Sequence, residues 1–353
     1  MRSADLSSFE PRRVLVCQQR QIGDVLLATP VFRLLHERYP RAELHLFTEE
    51  KCVPLLRGNP FISGFHAIDN GAGLSGQLAF YRSVARVGFD LAINFQQLPR
   101  CCMMTLFSGA RVRLSPRCGI PRRWLYTHTA ETVPGYACQT KASLLAPLGI
   151  AWDGEGPEIF LTDGERREAA ALLASAGLRP GARLVSIDPT HRRATKRWPA
   201  ERWAQMIALL SGQEKDAQFL LMRGPGEDSE IEHLRALCLG LGVDASALLV
   251  PPSVPGIRLS AACLAGASLH IGGCSAPRHM AAALGVPSLV IPGASGPEWR
   301  YPSPMHRELR PALPCRPCSR TECSDPQCLL RVSAQDAAEA ALGMLRGAED
   351  QHM

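Results

Sequence analysis

The chain has 353 residues, more than one hydrophobic core usually supports, so two domains are expected. No apolar run approaches the ~18 residues of a membrane span, so no spanning helix is expected. The first residues lack the apolar core of a signal peptide, so we expect a cytoplasmic protein. In that reducing environment its 13 cysteines favour thiols or metal ligands over disulfides, and its formal net charge of +6 favours anionic partners.

Strand and helix signals alternate along the chain, which is typical of doubly wound α/β domains. Strands are predicted at 13–18, 43–47, 65–68, 91–95, 183–187 and 218–222. Helices are predicted at 25–39, 77–87, 164–176, near 201–210 and near 229–239. The stretch 152–157 contains Gly154 and Gly156 and has the composition of a linker. We therefore predict an α/β protein with Rossmann-like domains at 1–155 and 156–333 and a C-terminal helix at 334–353. Such domains bind ligands at the carboxyl ends of their strands, here in a cleft that both domains face.

The segment from Ile271 to Gly285, IGGCSAPRHMAAALG, predicts a strand, a loop of small residues and an Ala-rich helix, and a further strand follows it. A loop without bulky side chains that leads into a helix exposes backbone N–H groups and the positive end of the helix dipole. Such a loop suits a diphosphate. An ordinary strand-helix-strand crossover without a ligand explains the same pattern, and the segment alone leaves both open.

The sequence of this loop resembles a motif of glycosyltransferase family 9, which includes the lipopolysaccharide heptosyltransferases. The family reads roughly Asn-Asp-Ser-Gly-Pro-x-His-x-Ala-Ala-Ala, and Ser275, Pro277, His279 and the alanines 281–283 match it. Two positions depart from the pattern. Cys274 stands where the family has Asp, and Ala276 stands where it has Gly.

Three further landmarks follow the family's order. Ile22-Gly23-Asp24-Val25 lies at the first strand-to-helix turn, Lys196-Arg197-Trp198-Pro199 follows the first strand of the second half, and Gly224-Pro225-Gly226-Glu227 follows the next strand. Each has an ordinary structural explanation: Asp24 as a helix cap, Lys196 as a surface cation and Glu227 as a helix-starting residue. The order of all four landmarks, across about residues 13 to 300, is what makes the resemblance specific.

The resemblance implies GT-B architecture and inverting, metal-independent transfer from a nucleoside-diphosphate sugar, commonly ADP-heptose, to a lipopolysaccharide core acceptor. It implies a peripheral enzyme at the cytoplasmic face of the inner membrane, with an N-terminal acceptor domain and a C-terminal donor domain. Asp24 would be the catalytic base. Donor binding is assigned to Thr190, Lys196, Glu227, Cys274, Ser275, Ala276 and His279. Acceptor binding, of an anionic glycolipid, is assigned to Arg20, Arg111, Arg113, Arg122 and Arg123. No catalytic cofactor is expected, and the sequence contains no Asp-x-Asp metal motif.

Three other functions compete with this interpretation. Gly71-Ala72-Gly73-Leu74-Ser75-Gly76, with Asp90 downstream, matches G-x-G-x-x-G and suggests an NAD(P) oxidoreductase, although it follows the third predicted strand and not the first. The two departures in the small-residue loop suggest a non-catalytic or re-specialised sugar-nucleotide or glycan-binding relative.

The third alternative is a zinc-knuckle nucleic-acid binder, suggested by Cys315, Cys318, Cys323 and Cys328 in the loop 315–328. The stacking aromatics of a nucleic-acid module are absent between these cysteines, so no nucleic-acid partner is expected. The spacing fits a structural zinc site or a metal-free loop, and the sequence leaves both open.

Overall fold

The computed structural model describes residues 6–69, 71, 73–316 and 318–347, without the side chains of residues 120 and 121. The chain divides into two units, Met1–Phe160 and Leu161–Met353. The division falls a few residues after the predicted linker. The described residues include no helix long and apolar enough to cross a membrane.

The N-terminal unit is built on one parallel sheet of six strands. Its strands are β1 Arg13–Cys17, β2 Glu43–Glu49, β3 Gly64–Ile68, β4 Leu91–Asn94, β5 Val112–Pro116 and β6 His128–Ala130. Its helices are α1 Ile22–Leu26, α2 Thr29–Arg38, α3 Val53–Leu56, α4 Leu74–Ala85, α5 Pro99–Phe107, α6 Ile120–Arg123 and α7 Ala137–Ser143. The strand order is β3-β2-β1-β4-β5-β6.

The C-terminal unit repeats this topology. Its strands are β7 Arg183–Asp188, β8 Ala217–Leu221, β9 Leu248–Leu249, β10 Leu269–Gly272, β11 Ser288–Val290 and β12 His306–Glu308. Its helices are α8 Asp163–Ser175, α9 Ala200–Gln213, α10 Asp228–Gly240, α11 Ile257–Ala265, α12 Ala276–Ala283, α13 Gln327–Leu330 and α14 Ala334–Gly347. The strand order is β12-β11-β10-β7-β8-β9, and every pairing is parallel.

Both sheets have the doubly wound Rossmann order, in which the first strand pairs with the second on one side and the fourth on the other. The central strands are buried on both faces, which explains their continuous apolar runs, such as VLVC in β1 and AQFLL in β8. The reversal of strand order lies between β1 and β4 in one unit and between β7 and β10 in the other. A ligand is therefore expected at the carboxyl ends of these two pairs.

The predicted helix at 25–39 is two helices in the structure, α1 and α2. Pro30 at the start of α2 explains the break, because proline has no N–H to donate within a continuous helix and its ring would clash with the preceding turn. The Thr29 hydroxyl donates a 2.7 Å hydrogen bond to the Leu26 carbonyl and so closes the end of α1. Four short strands, β5, β6, β9 and β12, were not predicted. The predicted C-terminal helix corresponds to α14, and residues 348–353 lie outside the described residues.

Candidate active site

Asp188 and Ser275 connect the two central strands of the C-terminal sheet at their carboxyl ends. Asp188 ends β7 and is paired with Gly272 of β10, while Ser275 precedes α12. The Ser275 hydroxyl donates a short hydrogen bond to the Asp188 carboxyl group, which is 5% exposed. Burial raises the pKa of Asp188 to about 7, although the Ser275 hydrogen bond lowers it, and the nearby charge of Glu227 raises it further. The contact therefore lies at the point where this topology places a ligand.

Glu227 is held on the same edge of the sheet by two hydrogen bonds to one of its oxygens. Its Oε2 accepts from the Thr190 hydroxyl at 2.7 Å and from the Gly224 backbone N–H at 2.7 Å. Among the described residues no donor to Oε1 is found, so one carboxylate oxygen remains to bind a ligand. Two predicted donor ligands, Thr190 after β7 and Glu227 after β8, are thus in direct contact.

Lys196 lies beside the small-residue loop. It ends a 3₁₀ turn, Ala194–Lys196, and a Cβ added to Gly273 would lie 3.4 Å from its carbonyl oxygen. Gly293 approaches the same turn so closely that its Cβ would meet the Thr195 oxygen at 2.4 Å, and its φ of 52° also requires glycine. Burial lowers the pKa of His191 to about 4, and the positive charge of Lys196 is the next largest cause.

His279 lies in the first turn of α12 and is 6% exposed. Burial first, then the charges of Arg278 and Lys196, lower its pKa, so the ring is neutral at pH 7. Its ring packs edge-on against Trp299, and no hydrogen-bond partner for it is found among the described residues. A buried imidazole without a partner suits a hydrogen bond to a ligand. Ala276, the other residue predicted here, is the first residue of α12.

Cys274 is 8% exposed and faces a buried cation. Arg278 donates to its sulfur from Nη1 at 3.4 Å and to Glu308 from Nη2 at 2.8 Å. Glu308 also pairs with Arg310 at 2.8 Å, which gives an arginine-carboxylate-arginine triad beneath the loop. The residue that departs most from the family pattern therefore contacts an arginine that the sequence did not single out.

In the N-terminal unit, Asp24 lies at the start of α1, next to the carboxyl end of β1. Its carboxylate accepts a hydrogen bond from the Gln21 N–H at 3.0 Å. Lys141 of α7 donates to Gln18 at 3.0 Å and lies 5.7 Å from the centre of the Phe95 ring. Burial lowers the pKa of Lys141, while the charge of Asp24 acts in the opposite direction. Asp24 therefore belongs to a polar group at the reversal between β1 and β4.

A cavity of about 320 Å³ opens at this edge of the N-terminal sheet. Its lining residues are Gln19, Arg20, Glu49, Leu98, Pro99 and Arg100. Arg20 is the only one of the five predicted acceptor arginines in this lining. Arg111 stacks over the Phe9 ring at 5.2 Å, and Arg113 donates to the carbonyls of Leu125 and Ala110. Arg122 and Arg123 are exposed in α6.

The comparisons with known proteins agree with these features. Residues 77–328 match the model of glycosyltransferase family 9 (heptosyltransferase), which covers more than two thirds of the chain. The chain belongs to glycosyltransferase family 9.

Individual relatives support the same assignment. The chain is 26% identical over 287 residues to lipopolysaccharide heptosyltransferase 3 of Escherichia coli (strain K12), covering 78% of this chain and 81% of the relative. A family 9 glycosyltransferase structure from Veillonella parvula DSM 2008 superposes with a TM-score of 0.82 at 20% identity, over 95% of this chain and 98% of the other. The E. coli ADP-heptose lps heptosyltransferase II gives 0.75 at 18% identity, over 96% and 99%. The predicted α/β class and GT-B fold are confirmed.

The oxidoreductase alternative finds no support in this family 9 glycosyltransferase. The glycine loop follows β3, which is the edge strand of its sheet, and Ala72 lies outside the described residues. Asp90, its candidate ribose ligand, instead accepts hydrogen bonds from the backbone N–H groups of Arg12 and Arg13 at 2.8 and 3.0 Å. It therefore serves the amino end of β1, opposite to a nucleotide site.

The cysteine loop, for which the sequence left a zinc site and a metal-free loop open, shows no zinc geometry among the described residues. Cys315 and Cys323 are exposed, and Cys318 and Cys328 are half-buried. Within the described part of the chain, no group of three or more His, Cys, Asp or Glu side chains is arranged to hold a metal ion. Of the two alternatives, the structural zinc site is therefore not supported.

The loop instead supports the segment that carries Lys196. The Thr195 hydroxyl donates to the Arg320 carbonyl at 2.9 Å, and Arg316 donates to the Gly293 carbonyl at 2.7 Å. Trp198, which belongs to the same landmark as Lys196, is a core residue and packs against Trp203 with ring centroids 4.9 Å apart.

Sequence reasoning missed Asp188, His191, Lys141 and the Arg278–Glu308 pair. One signal was available for Asp188, because a carboxylate that ends an apolar strand lies at the ligand-binding edge of a parallel sheet. No local signal marks Lys141, which reaches Gln18 across 123 residues of sequence.

Proposed function

We propose that this family 9 glycosyltransferase moves a heptose, or a related sugar, from a nucleoside-diphosphate donor such as ADP-heptose to a lipopolysaccharide core acceptor. The observation that carries the proposal is the set of donor residues at the carboxyl ends of β7, β8 and β10. Thr190, Lys196, Glu227 and Ser275 lie on the loops that follow these three strands, and His279 lies in the first turn of α12, which follows the β10 loop. The β7 loop contacts both of the others, through Thr190 with Glu227 and through Lys196 with Gly273. The relatives named as ADP-heptose and lipopolysaccharide heptosyltransferases supply the substrate class.

The proposed donor site divides between the nucleoside and the diphosphate. The Oε1 of Glu227 would accept hydrogen bonds from the ribose hydroxyls, because Oε2 is already engaged by Thr190 and Gly224. Lys196, the neutral His279 and the first-turn N–H groups of α12 would bind the phosphates. These hydrogen-bonding groups would stabilise the negative charge that develops on the leaving diphosphate. They would thus perform the task that a metal ion performs in other glycosyltransferases.

The proposed chemistry is inverting and independent of a metal. Asp24 takes the proton from the acceptor hydroxyl, whose oxygen attacks the anomeric carbon from the face opposite the nucleotide. The bond from this carbon to the phosphate oxygen breaks, and the nucleoside diphosphate leaves with the electron pair. One base and one set of groups that bind the phosphates are sufficient for this step.

For the acceptor we propose the Arg20-lined cavity together with peripheral contact at a membrane surface. Trp124 follows α6 and is 84% exposed, and Arg122 and Arg123 beside it are exposed as well. An exposed tryptophan flanked by cations suits the interface of an anionic bilayer. Co-sedimentation with anionic vesicles should fall in Trp124→Ala and in high salt, whereas neutral vesicles should bind poorly throughout.

The decisive experiment is to incubate the protein with ADP-heptose and a heptose-deficient lipopolysaccharide core, without added metal and with a chelator present. Mass spectrometry should show the core gaining one heptose, and the anomeric configuration of the product should be opposite to that of the donor. Product that forms only with added metal, or with retained configuration, would contradict the mechanism. Binding of ADP without any transfer to a panel of acceptors would favour the non-catalytic relative.

A further inference from the structure

Ser275 occupies the N-cap position of α12 but does not cap the helix. Its backbone is extended, as a cap requires, with φ of −128° and ψ of −175°, yet its side chain makes no capping hydrogen bond. A serine here normally accepts from the N–H of the second or third helical residue. The second is Pro277, which has no N–H, so the available donor is the N–H of Arg278.

Asp188 explains why that hydrogen bond is missing. The Ser275 hydroxyl donates to the Asp188 carboxylate, which turns the oxygen toward the end of β7. The two residues are 87 positions apart and meet because β7 and β10 are paired in parallel register. As a result the N–H of Arg278 has no acceptor from the cap, and the N–H of Ala276, the first helical residue, has none within the helix in any case. His279 lies in the same first turn of α12, is 6% exposed and has no hydrogen-bond partner among the described residues.

We propose that Asp188 is a positioning residue of the donor site: by holding the Ser275 hydroxyl, it keeps the first-turn amides of α12 open for the donor diphosphate. The inference rests on the proposed function, since it assigns a diphosphate to this helix end. It differs from a purely structural role for Asp188 in one respect. Removing Asp188 should allow Ser275 to cap the helix, so the serine itself becomes the competitor of the phosphate.

The test is a double-mutant cycle on ADP affinity, measured by calorimetry at pH 8, where Asp188 is ionised because its pKa is about 7. Asp188→Ala should weaken ADP about tenfold, the size of one charge-assisted hydrogen bond, and leave adenosine within about twofold. In the double variant Asp188→Ala/Ser275→Ala, the ADP affinity should return to within about threefold of that of Ser275→Ala alone. Asp188→Asn, which keeps an acceptor for the hydroxyl, should stay within about threefold of the wild type.

Hydrogen exchange at the Arg278 amide gives a readout that does not depend on ADP binding. It should be fast in the free wild type and slowed in free Asp188→Ala. Slowing by ADP in the wild type is a separate expectation that does depend on binding. If Asp188→Ala does not fold, Asp188→Val, which also lacks an acceptor, replaces it throughout. Failure of Ser275→Ala to restore affinity, or protection of the Arg278 amide in the free wild type, would overturn the inference. A wild type that binds no ADP, yet shows fast exchange at the Arg278 amide when free and slowed exchange in free Asp188→Ala, would reject the proposed donor while leaving the Asp188–Ser275 switch of the cap intact.

Discussion

Asp24 is the residue on which the proposed chemistry depends, and it also closes the first turn of α1 through the Gln21 N–H. Asp24→Asn keeps an oxygen for that N–H but cannot take a proton. We expect kcat to fall by about 100-fold or more, with ADP affinity and melting temperature close to the wild type. Steady-state kinetics, calorimetry and thermal unfolding check the three quantities.

Asp336 provides a matched control, because it accepts a hydrogen bond from the Ser333 N–H at 3.3 Å at the start of α14 in the same way. Asp336→Asn should leave kcat unchanged. If Asp24→Asn behaves like this control in every measurement, Asp24 is only a cap.

Lys196 is expected to distinguish the diphosphate from the nucleoside. Lys196→Ala should weaken ADP binding by about tenfold or more and adenosine binding by less than about twofold, because in the proposed site only the phosphates contact the ammonium group. Lys196→Arg should recover part of the loss, since a planar guanidinium does not replace a compact ammonium.

Exposed Lys215, before β8 at the amino edge of the sheet, is the control for the loss of one positive charge. Lys215→Ala should change neither affinity. Equal losses of ADP and adenosine in Lys196→Ala would reject its role as a phosphate ligand.

At the scale of elements, α12 is fixed to β12 by a buried ion pair. The side chains of Arg278 and Glu308 are both 4% exposed, and Glu308 also forms an ion pair with Arg310. Glu308→Gln leaves buried guanidinium charge without its carboxylate, which typically costs about 3–5 kcal/mol. We expect a loss of this size in the free energy of urea-induced unfolding.

The pair between Arg117 and Glu131 has the same 2.8 Å separation but is 71% and 74% exposed. Glu131→Gln should therefore cost less than about 1 kcal/mol. Similar losses in the two variants would show that the buried pair does not hold α12 in place.

At the scale of the whole molecule, buried neutral histidines should make the protein sensitive to acid. Burial lowers the pKa of His66, His191 and His306 to about 4 and that of His270 to about 3. In the unfolded chain these histidines bind protons near pH 6.5. Their contribution to the free energy of unfolding is therefore fully present above that pH and is lost as pH falls toward 4.

Asp188 acts in the opposite direction, because its raised pKa contributes stability that is present below about pH 4 and is lost as pH rises to about 7. Since the histidines outnumber this carboxyl group, we expect the free energy of unfolding to rise between pH 4.5 and 6.5. Urea unfolding across this range measures the slope. His270→Gln should reduce it by up to about one proton, or 1.4 kcal/mol per pH unit. A flat profile in the wild type would contradict the expectation.

The sequence by itself determined the α/β alternation, the central strands of the two parallel sheets and the loops that follow those strands. These follow from local patterns: apolar runs predict strands, and Gly23, Lys196 and Ser275 can be placed after strand ends by counting along the chain. Because every residue just after a parallel strand lies at the same edge of its sheet, Asp24 and Glu227 could be assigned to site edges without coordinates.

Only the tertiary structure decided which of these side chains meet and which cations are free to bind. Asp188 and Ser275 meet through the register of β7 with β10, and Arg278 meets Glu308 through β11 and β12. The guanidinium of Arg113, which was predicted to bind the acceptor, donates to two backbone carbonyls in the structure. Hydrophobic periodicity reports which face of an element is buried, but strand order and register come from packing between distant segments, and no local pattern encodes them.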